Sequence, residues 1–123
     1  MFNEIINYIN QGKFKEAEKK LKNIINKNPD SDTAYYLMGY INLKINRIED
    51  SLKFFKKALD INEKTDYLFA YAEVLTRKNL YYDAENCYKK ILSKEPRNEP
   101  STVNLAYIYL LTKNFVNYIQ KQK

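Results

Sequence analysis

The sequence predicts an all-α fold, because turn residues are scarce and apolar residues recur at helical spacing. Only two glycines and three prolines occur among the 123 residues. A β-sandwich or barrel needs a turn every few residues, so this scarcity argues against both. Apolar residues make up 45% of the chain and charged residues 29%, which favours a folded chain over a disordered tail. The length fits one compact domain or a short array of repeats.

The clearest helical pattern lies in residues 14–25. Its apolar members recur every three or four residues and share one face, with lysines on the other. They are Phe14, Ala17, Leu21, Ile24 and Ile25. Pro29 predicts the end of this helix, because proline lacks a backbone donor and clashes with the preceding turn. One of the next three residues, Asp30, Ser31 or Asp32, is then expected to cap the following helix.

Three segments of the chain align in phase, at spacings of 34 and 33 residues. Each places an acidic residue directly before a small one. The segments are Gly12–Ala17, Asn46–Ser51 and Asn79–Ala84. The same offsets recur downstream at Leu21, Phe55 and Tyr88, and then at Ile24, Ala58 and Ile91. The predicted repeats are therefore residues 1–31, 32–64 and 65–98, with a partial fourth copy in residues 99–123. One such helix pair cannot bury an apolar face alone, so the pairs must stack.

The repeats also share a pattern that begins on the first helix. An aromatic or apolar residue is followed, three positions later, by two adjacent residues of which the second is often small. The second repeat has Tyr35, Met38, Gly39, Asn42, Ser51, Phe55 and Ala58, and the third has Leu68, Tyr71, Ala72, Leu75, Ala84, Tyr88, Ile91 and Pro96. With this pattern the sequence resembles the tetratricopeptide repeat (TPR) family. The resemblance implies an α-α superhelix, a TPR solenoid of about three and a half helix-turn-helix repeats. The first helix of repeat 1 would be shortened, and residues 99–123 would form a partial repeat 4 or C-terminal capping helices.

Small residues in this pattern are expected to let paired helices approach closely. They are Gly39, Ala72 and Ala106 on first helices, and Ala17, Ser51 and Ala84 on second helices. Phe55 and Tyr88 are expected to fill the wedge between neighbouring repeats.

Composition argues against an enzyme. The chain has no histidine, so the commonest general base and the commonest zinc ligand are both missing. The single cysteine, Cys87, cannot form an internal disulfide or a cysteine metal cluster. Two isolated glycines cannot build a phosphate-binding loop. We therefore predict no catalytic, cofactor-binding or metal-binding residues, and no cofactor.

The net charge of +6 is spread along the chain. The four predicted repeats carry +2 (6 − 4), +1 (6 − 5), +1 (6 − 5) and +2 (3 − 1). No segment concentrates positive charge, so neither nucleic acid nor a membrane surface is predicted as a partner. A lysine ridge on the second helices remains the basis for a nucleic-acid alternative. No secretory signal and no membrane-spanning run is visible, which predicts a cytoplasmic protein.

The resemblance further implies that first helices line a concave groove that receives peptide. Positions turned away from the paired second helix recur at i, i+4 and i+8. The predicted peptide-binding groove consists of Tyr36, Tyr40, Lys44, Phe69, Glu73, Arg77, Asn104 and Tyr107. Tyrosine and arginine are enriched at binding hot spots. The alternative is that the aromatic rings merely pack between adjacent first helices, and that Glu73 and Arg77 form a solvated ion pair.

Some members of the family hold the C-terminal carboxylates of heat-shock chaperones with a clamp of lysines, arginine and asparagines on first helices. The clamp can be aligned with this chain in two registers. One places Phe2, Ile6, Leu37, Asp66 and Ala70 at its positions, and the other places Tyr36, Tyr40, Ala70, Pro100 and Asn104 there. Neither rebuilds the clamp, so heat-shock chaperone C-terminal tails are not expected as partners.

The sequence thus predicts a non-enzymatic protein–protein interaction module that binds a peptide or helix of a partner in a concave aromatic groove. The alternative is a self-associating structural scaffold, a homo-oligomer formed through the C-terminal end or the groove. The apolar C-terminal residues are the basis for that alternative. They are Tyr107, Tyr109, Phe115, Tyr118 and Ile119.

Overall fold

The computed structural model describes residues 2–112 and residue 120. Seven α-helices and no strand lie in this part of the chain. The helices are α1 (Asn3–Asn10), α2 (Phe14–Lys27), α3 (Asp32–Lys44), α4 (Ile48–Ile61), α5 (Thr65–Arg77), α6 (Tyr81–Lys94) and α7 (Glu99–Leu111). None of them is both long enough and apolar enough to cross a membrane.

Three helix pairs are closed by the same turn. Each turn contains one residue with a left-handed backbone, namely Gly12 at φ 74°, Asn46 at φ 64° and Asn79 at φ 62°. The residue after it donates its backbone N–H back into the preceding helix, as Arg47 does to the Asn42 carbonyl at 2.7 Å. This is the Schellman arrangement, which glycine and asparagine favour because they tolerate positive φ. The shared turn chemistry explains why the three segments align in the sequence.

Side-chain caps start two of the helices. The Ser31 hydroxyl accepts a hydrogen bond from the backbone N–H of Ala34 at 3.3 Å, at the start of α3. The Asn98 side chain accepts one from the N–H of Ser101 at 3.0 Å, at the start of α7. Of the three residues predicted to cap α3, Ser31 is therefore the one that does so.

The chain divides into two compact units, residues 1–67 (unit 1) and residues 68–123 (unit 2), and the boundary falls inside α5. In unit 1, α2 packs against α1 and α3, and α3 packs against α4. One buried cluster of unit 1 is built from α1, α2 and α3. The buried members are Ile5, Ile9, Ala17, Leu21, Ala34, Leu37, Met38 and Ile41. In unit 2, α6 packs against α7. Ala72, Ala84, Tyr88, Ile91 and Ile108 are among its buried residues.

The small residues of the repeats have different surroundings. Gly39 lies against the ring of Phe55, whose nearest atom would be 2.6 Å from a Cβ at this position. Phe55 therefore fills space within its own helix pair, between α3 and α4. Ala17, Ser51, Ala72 and Ala84 are fully buried. Ala106 is exposed. The segment predicted to pair with it, and the predicted association residues Phe115, Tyr118 and Ile119, lie outside the described residues.

Candidate functional site

Tyr36 lies on α3 but is held by packing inside unit 1. Its ring stacks on Tyr67 with centroids 4.8 Å apart, and it tilts against Phe55 at 5.6 Å. The side chain is half-buried. Offset aromatic pairs of this kind stabilise a fold by about 0.5–1.5 kcal/mol beyond the area they bury. Much of the Tyr36 ring therefore packs against other side chains of unit 1.

The next residues of the same stripe are Tyr40 and Lys44. Tyr40 is half-buried against the unit 1 core, and Lys44 is exposed. The Lys44 Nζ lies 5.3 Å from the centroid of the Tyr40 ring, within the range of a cation–π contact. No acidic side chain in residues 2–112 forms an ion pair with Lys44. The end of α3 thus presents an aromatic ring and a cation available to an anionic group.

A hydrogen-bonded cluster holds Tyr67 under Tyr36. The Tyr67 hydroxyl donates to Asp32 Oδ2 at 2.9 Å, and Asn62 Nδ2 donates to the same oxygen at 3.3 Å. Burial raises the pKa of Asp32, but the hydrogen bonds from Tyr67 and Asn62 outweigh it, so the pKa lies below its ordinary 3.8. Burial, together with the nearby Asp32 carboxylate, raises the pKa of Tyr67 to about 12. The pair therefore stays a neutral phenol bonded to a carboxylate at neutral pH.

In unit 2, one buried tyrosine holds two of the predicted site residues. The half-buried Phe69 ring meets Tyr88 edge-on, with centroids 5.8 Å apart and planes at 74°. Asn104 Nδ2 donates to the Tyr88 hydroxyl at 3.1 Å. Burial raises the pKa of Tyr88, so the phenol is neutral at physiological pH. Phe69 and Asn104 therefore have a partner within the fold, on the second helix α6.

The remaining predicted site residues of unit 2 project into solvent. Glu73 and Arg77 are exposed, and within the described chain they form no ion pair with each other. Tyr107 on α7 is 55% exposed. These three side chains and Lys44 are the exposed members of the predicted site, whereas Tyr40 is half-buried, as are Tyr36, Phe69 and Asn104.

A cleft in unit 1 lies at the turns before α2 and α4, and none of these residues lines it. Its charged lining combines the cations Lys13, Lys15 and Arg47 with the carboxylates Glu16 and Glu18. The mixed charge gives no preference for an anion or a cation. Across residues 2–112, no group of three or more cysteine or acidic side chains could hold a metal ion.

The pairing of Asp32 with Tyr67 was not predicted from the sequence. They are 35 residues apart, close to the repeat length, and Asp32 opens α3 while Tyr67 lies in the first turn of α5. An acidic residue and a tyrosine near the starts of first helices in adjacent repeats are the signal that could have indicated their contact.

The sequence profile of the tetratricopeptide repeat family matches residues 8–74, more than half of the chain. The chain belongs to the TPR family. The predicted family and the predicted all-α fold class are both confirmed. No curated protein matches the sequence.

Solved structures share this TPR fold at low sequence identity. A crystal structure of MamA is 19% identical with a TM-score of 0.85, and the match covers 94% of this chain and 68% of that one. MamA 41-end from Desulfovibrio magneticus RS-1 is 12% identical with a TM-score of 0.82, covering 97% and 68% of the two chains. The first TPR of Spaghetti (RPAP3), bound to the HSP90 peptide SRMEEVD, is 17% identical with a TM-score of 0.83, covering 89% and 88%.

The TPR fold is a protein–protein interaction module, so its exposed side chains are the ones that can contact another protein. A stack of helix pairs forms a continuous surface that suits an extended segment or a helix of another protein. In this chain the exposed polar groups on first helices include Lys44, Glu73 and Arg77. Their role at a binding site stays a prediction.

Proposed function

We propose that this TPR chain is a non-enzymatic module that binds a peptide segment or helix of a partner protein through its first helices. The observation that carries the proposal is the end of α3, where the Lys44 Nζ lies 5.3 Å from the centroid of the Tyr40 ring and has no acidic partner in the described chain. An apolar or aromatic side chain of the partner would pack on Tyr40, and an acidic group would pair with Lys44. In unit 2, Arg77 is an exposed cation that could pair with an acidic group of the partner.

The ligand proposed for this chain differs from the acidic tails of heat-shock chaperones. The HSP90 peptide SRMEEVD is bound by the first TPR of Spaghetti (RPAP3), which has the same fold. At the clamp positions this chain has apolar residues such as Ile6, Leu37 and Ala70. These side chains cannot form charge-assisted hydrogen bonds with carboxylates, so an acidic tail would lose its main attachment.

The first test compares site variants with matched controls. A pull-down with the wild-type chain identifies a partner, and calorimetry then measures the affinity of its binding segment. Tyr40→Ala and Lys44→Glu should each weaken binding about tenfold or more, since truncating a hot-spot residue costs about 2 kcal/mol. Arg77→Glu should weaken binding of an acidic segment in the same direction.

The controls change equivalent side chains elsewhere. Tyr82→Ala removes a tyrosine that is 75% exposed on α6, and Lys53→Glu reverses an exposed charge on α4. Both should keep wild-type affinity, and circular dichroism should show that every variant remains helical. Full affinity in Tyr40→Ala, Lys44→Glu and Arg77→Glu would refute the proposed binding surface.

A further inference from the structure

Two first helices of unit 2 place side chains around one buried phenol, that of Tyr88 on α6. Phe69 of α5 meets the Tyr88 ring edge-on, with centroids 5.8 Å apart. Asn104 of α7 donates from Nδ2 to the Tyr88 hydroxyl at 3.1 Å. Glu73 lies one turn after Phe69, on the same face of α5.

The charge of Glu73 acts on this phenol. Burial raises the pKa of Tyr88, the hydrogen bond from Asn104 lowers it, and the negative charge of the Glu73 carboxylate raises it further. Glu73 is nevertheless exposed, and no cation in residues 2–112 forms an ion pair with it. Even Arg77, one turn further along α5, does not pair with it. The carboxylate is therefore available to a partner.

The Asn104 carbonyl is a second acceptor that the described chain leaves unused. The side-chain amide gives one N–H to Tyr88, and no described residue donates to Oδ1. Asn104 is half-buried. Within residues 2–112, the buried side-chain atom without a hydrogen-bond partner is Ser101 Oγ, so Asn104 Oδ1 reaches solvent. The bond to Tyr88 fixes the amide and with it the direction of Oδ1.

We propose that Phe69, Glu73 and Asn104 form a subsite for an arginine side chain of the partner segment. Two free oxygen acceptors, one of them charged, suit a cation that has only donors. A guanidinium has five N–H donors in one plane and stacks on aromatic rings, whereas a lysine ammonium is a compact, strongly hydrated charge. Phe69 is half-buried and supplies the ring. The inference rests on the proposed function and names a residue that the partner segment carries.

The contribution of this arginine subsite to affinity should be small. The ion pair at Glu73 is exposed, and exposed ion pairs are weak. Arg77 also repels an incoming cation from one turn away. A single arginine should therefore bind with a dissociation constant on the order of millimolar, and the subsite should select among partner segments more than it strengthens binding.

The test titrates the chain with Nα-acetyl-arginine amide, a probe that presents the guanidinium without charged ends. NMR follows the Asn104 side-chain amide and the backbone amides of α5 and α7, which should shift saturably. Glu73→Gln and Asn104→Ala should each weaken binding about three- to fivefold, because each removes one exposed acceptor. Asn104→Asp should tighten binding, since it places a second carboxylate in the subsite. A purely structural role of Asn104 would give no such gain.

The controls separate charge from shape. Asp83→Asn neutralises an exposed acid of α6 outside the subsite and should bind the probe like the wild type. Nα-acetyl-glutamine amide has no charge and should give no saturable shift. Nα-acetyl-lysine amide should bind more weakly than the arginine probe, because it lacks the planar set of donors.

Several results would overturn the proposal. They are no saturable shift with the arginine probe, an equal shift with the glutamine or lysine probe, unchanged affinity in Glu73→Gln, and weaker binding in Asn104→Asp. The proposed function is tested separately, by the affinity of Tyr40→Ala and Lys44→Glu for the partner segment. If those two variants lose the segment while the arginine probe does not bind, the arginine subsite alone is wrong.

Discussion

Gly12 and Gly39 are required for different physical reasons. Gly12 has a φ of 74° in the turn between α1 and α2, and no atom lies within 4 Å of the place where a Cβ would stand. Gly39 lies inside α3, where a Cβ would meet three ring atoms of Phe55 at 2.6–3.0 Å. Backbone conformation therefore selects the first glycine, and side-chain packing selects the second.

Alanine at Gly39 is expected to destabilise the protein. Helix propensity alone would favour alanine by about 1 kcal/mol. The Phe55 ring is fully buried, however, so it cannot move aside freely, and overpacking costs about 1–3 kcal/mol. The clash should outweigh the propensity, and Gly39→Ala should lower the free energy of unfolding measured with urea. An unchanged or higher free energy of unfolding would show that the ring moves at no cost.

The variants Gly12→Ala and Gly12→Asn test whether the left-handed backbone is the reason for glycine at this position. Alanine should cost about 1–2 kcal/mol in the left-handed region. Asparagine should cost less, because Asn46 and Asn79 adopt the same conformation at the equivalent turns. Equal free energies of unfolding for Gly12→Ala and Gly12→Asn would contradict this account.

At the level of helices, the small residues of the second helices control packing. Ala84 in the first turn of α6 is fully buried. Ala84→Leu should overpack this position and lower the free energy of unfolding by about 1–3 kcal/mol. Asn86→Leu, at an exposed position of the same helix, is the matched control and should be close to neutral. A melting temperature unchanged by Ala84→Leu would show that the helix has room for a larger side chain.

The helices could be predicted from sequence because their signals are local. Apolar spacing indicates α2, and a proline and a serine mark helix ends near Pro29 and Ser31. These signals act over a few residues, so no knowledge of the packing is needed. The repeat boundaries of the sequence analysis stay a prediction.

Local sequence patterns could not predict which candidate site residues are packed inside the fold and which remain available to a partner. Tyr36 and Tyr40 have the same residue type and lie one turn apart, yet Tyr36 stacks on Tyr67 while Tyr40 carries Lys44 above its ring. Similarly, Asn104 is bonded to Tyr88. Such differences depend on contacts between residues far apart in the sequence. The local pattern therefore indicates the helix face, and only the packing shows which side chains on it remain available.

At the scale of the whole molecule, stability at high pH should depend on one buried tyrosine in each unit. Burial raises the pKa of Tyr67 in unit 1 to about 12, and it raises the pKa of Tyr88 in unit 2. In the unfolded chain both phenols titrate near 10.0. Between these values the folded state binds more protons than the unfolded state. The stability that these two phenols contribute is therefore fully present below pH 10, and it is lost as the pH rises through the folded-state pKa of each phenol.

The free energy of unfolding should accordingly fall between pH 10 and pH 12, with Tyr67 contributing up to about 2–3 kcal/mol. Tyr67→Phe should be less stable than the wild type at neutral pH, because Asp32 loses a hydrogen-bond donor, but its stability should fall less steeply above pH 10. Tyr88→Phe should flatten the remaining slope. Asp32→Asn separates the two causes of the raised Tyr67 pKa, which are burial and the Asp32 charge. Because this variant removes the charge while burial remains, the Tyr67 pKa should drop only part of the way toward 10. Urea unfolding at a series of pH values measures each slope, and equal slopes for wild type and Tyr67→Phe would mean that the Tyr67 phenol ionises as easily in the folded chain as in the unfolded one.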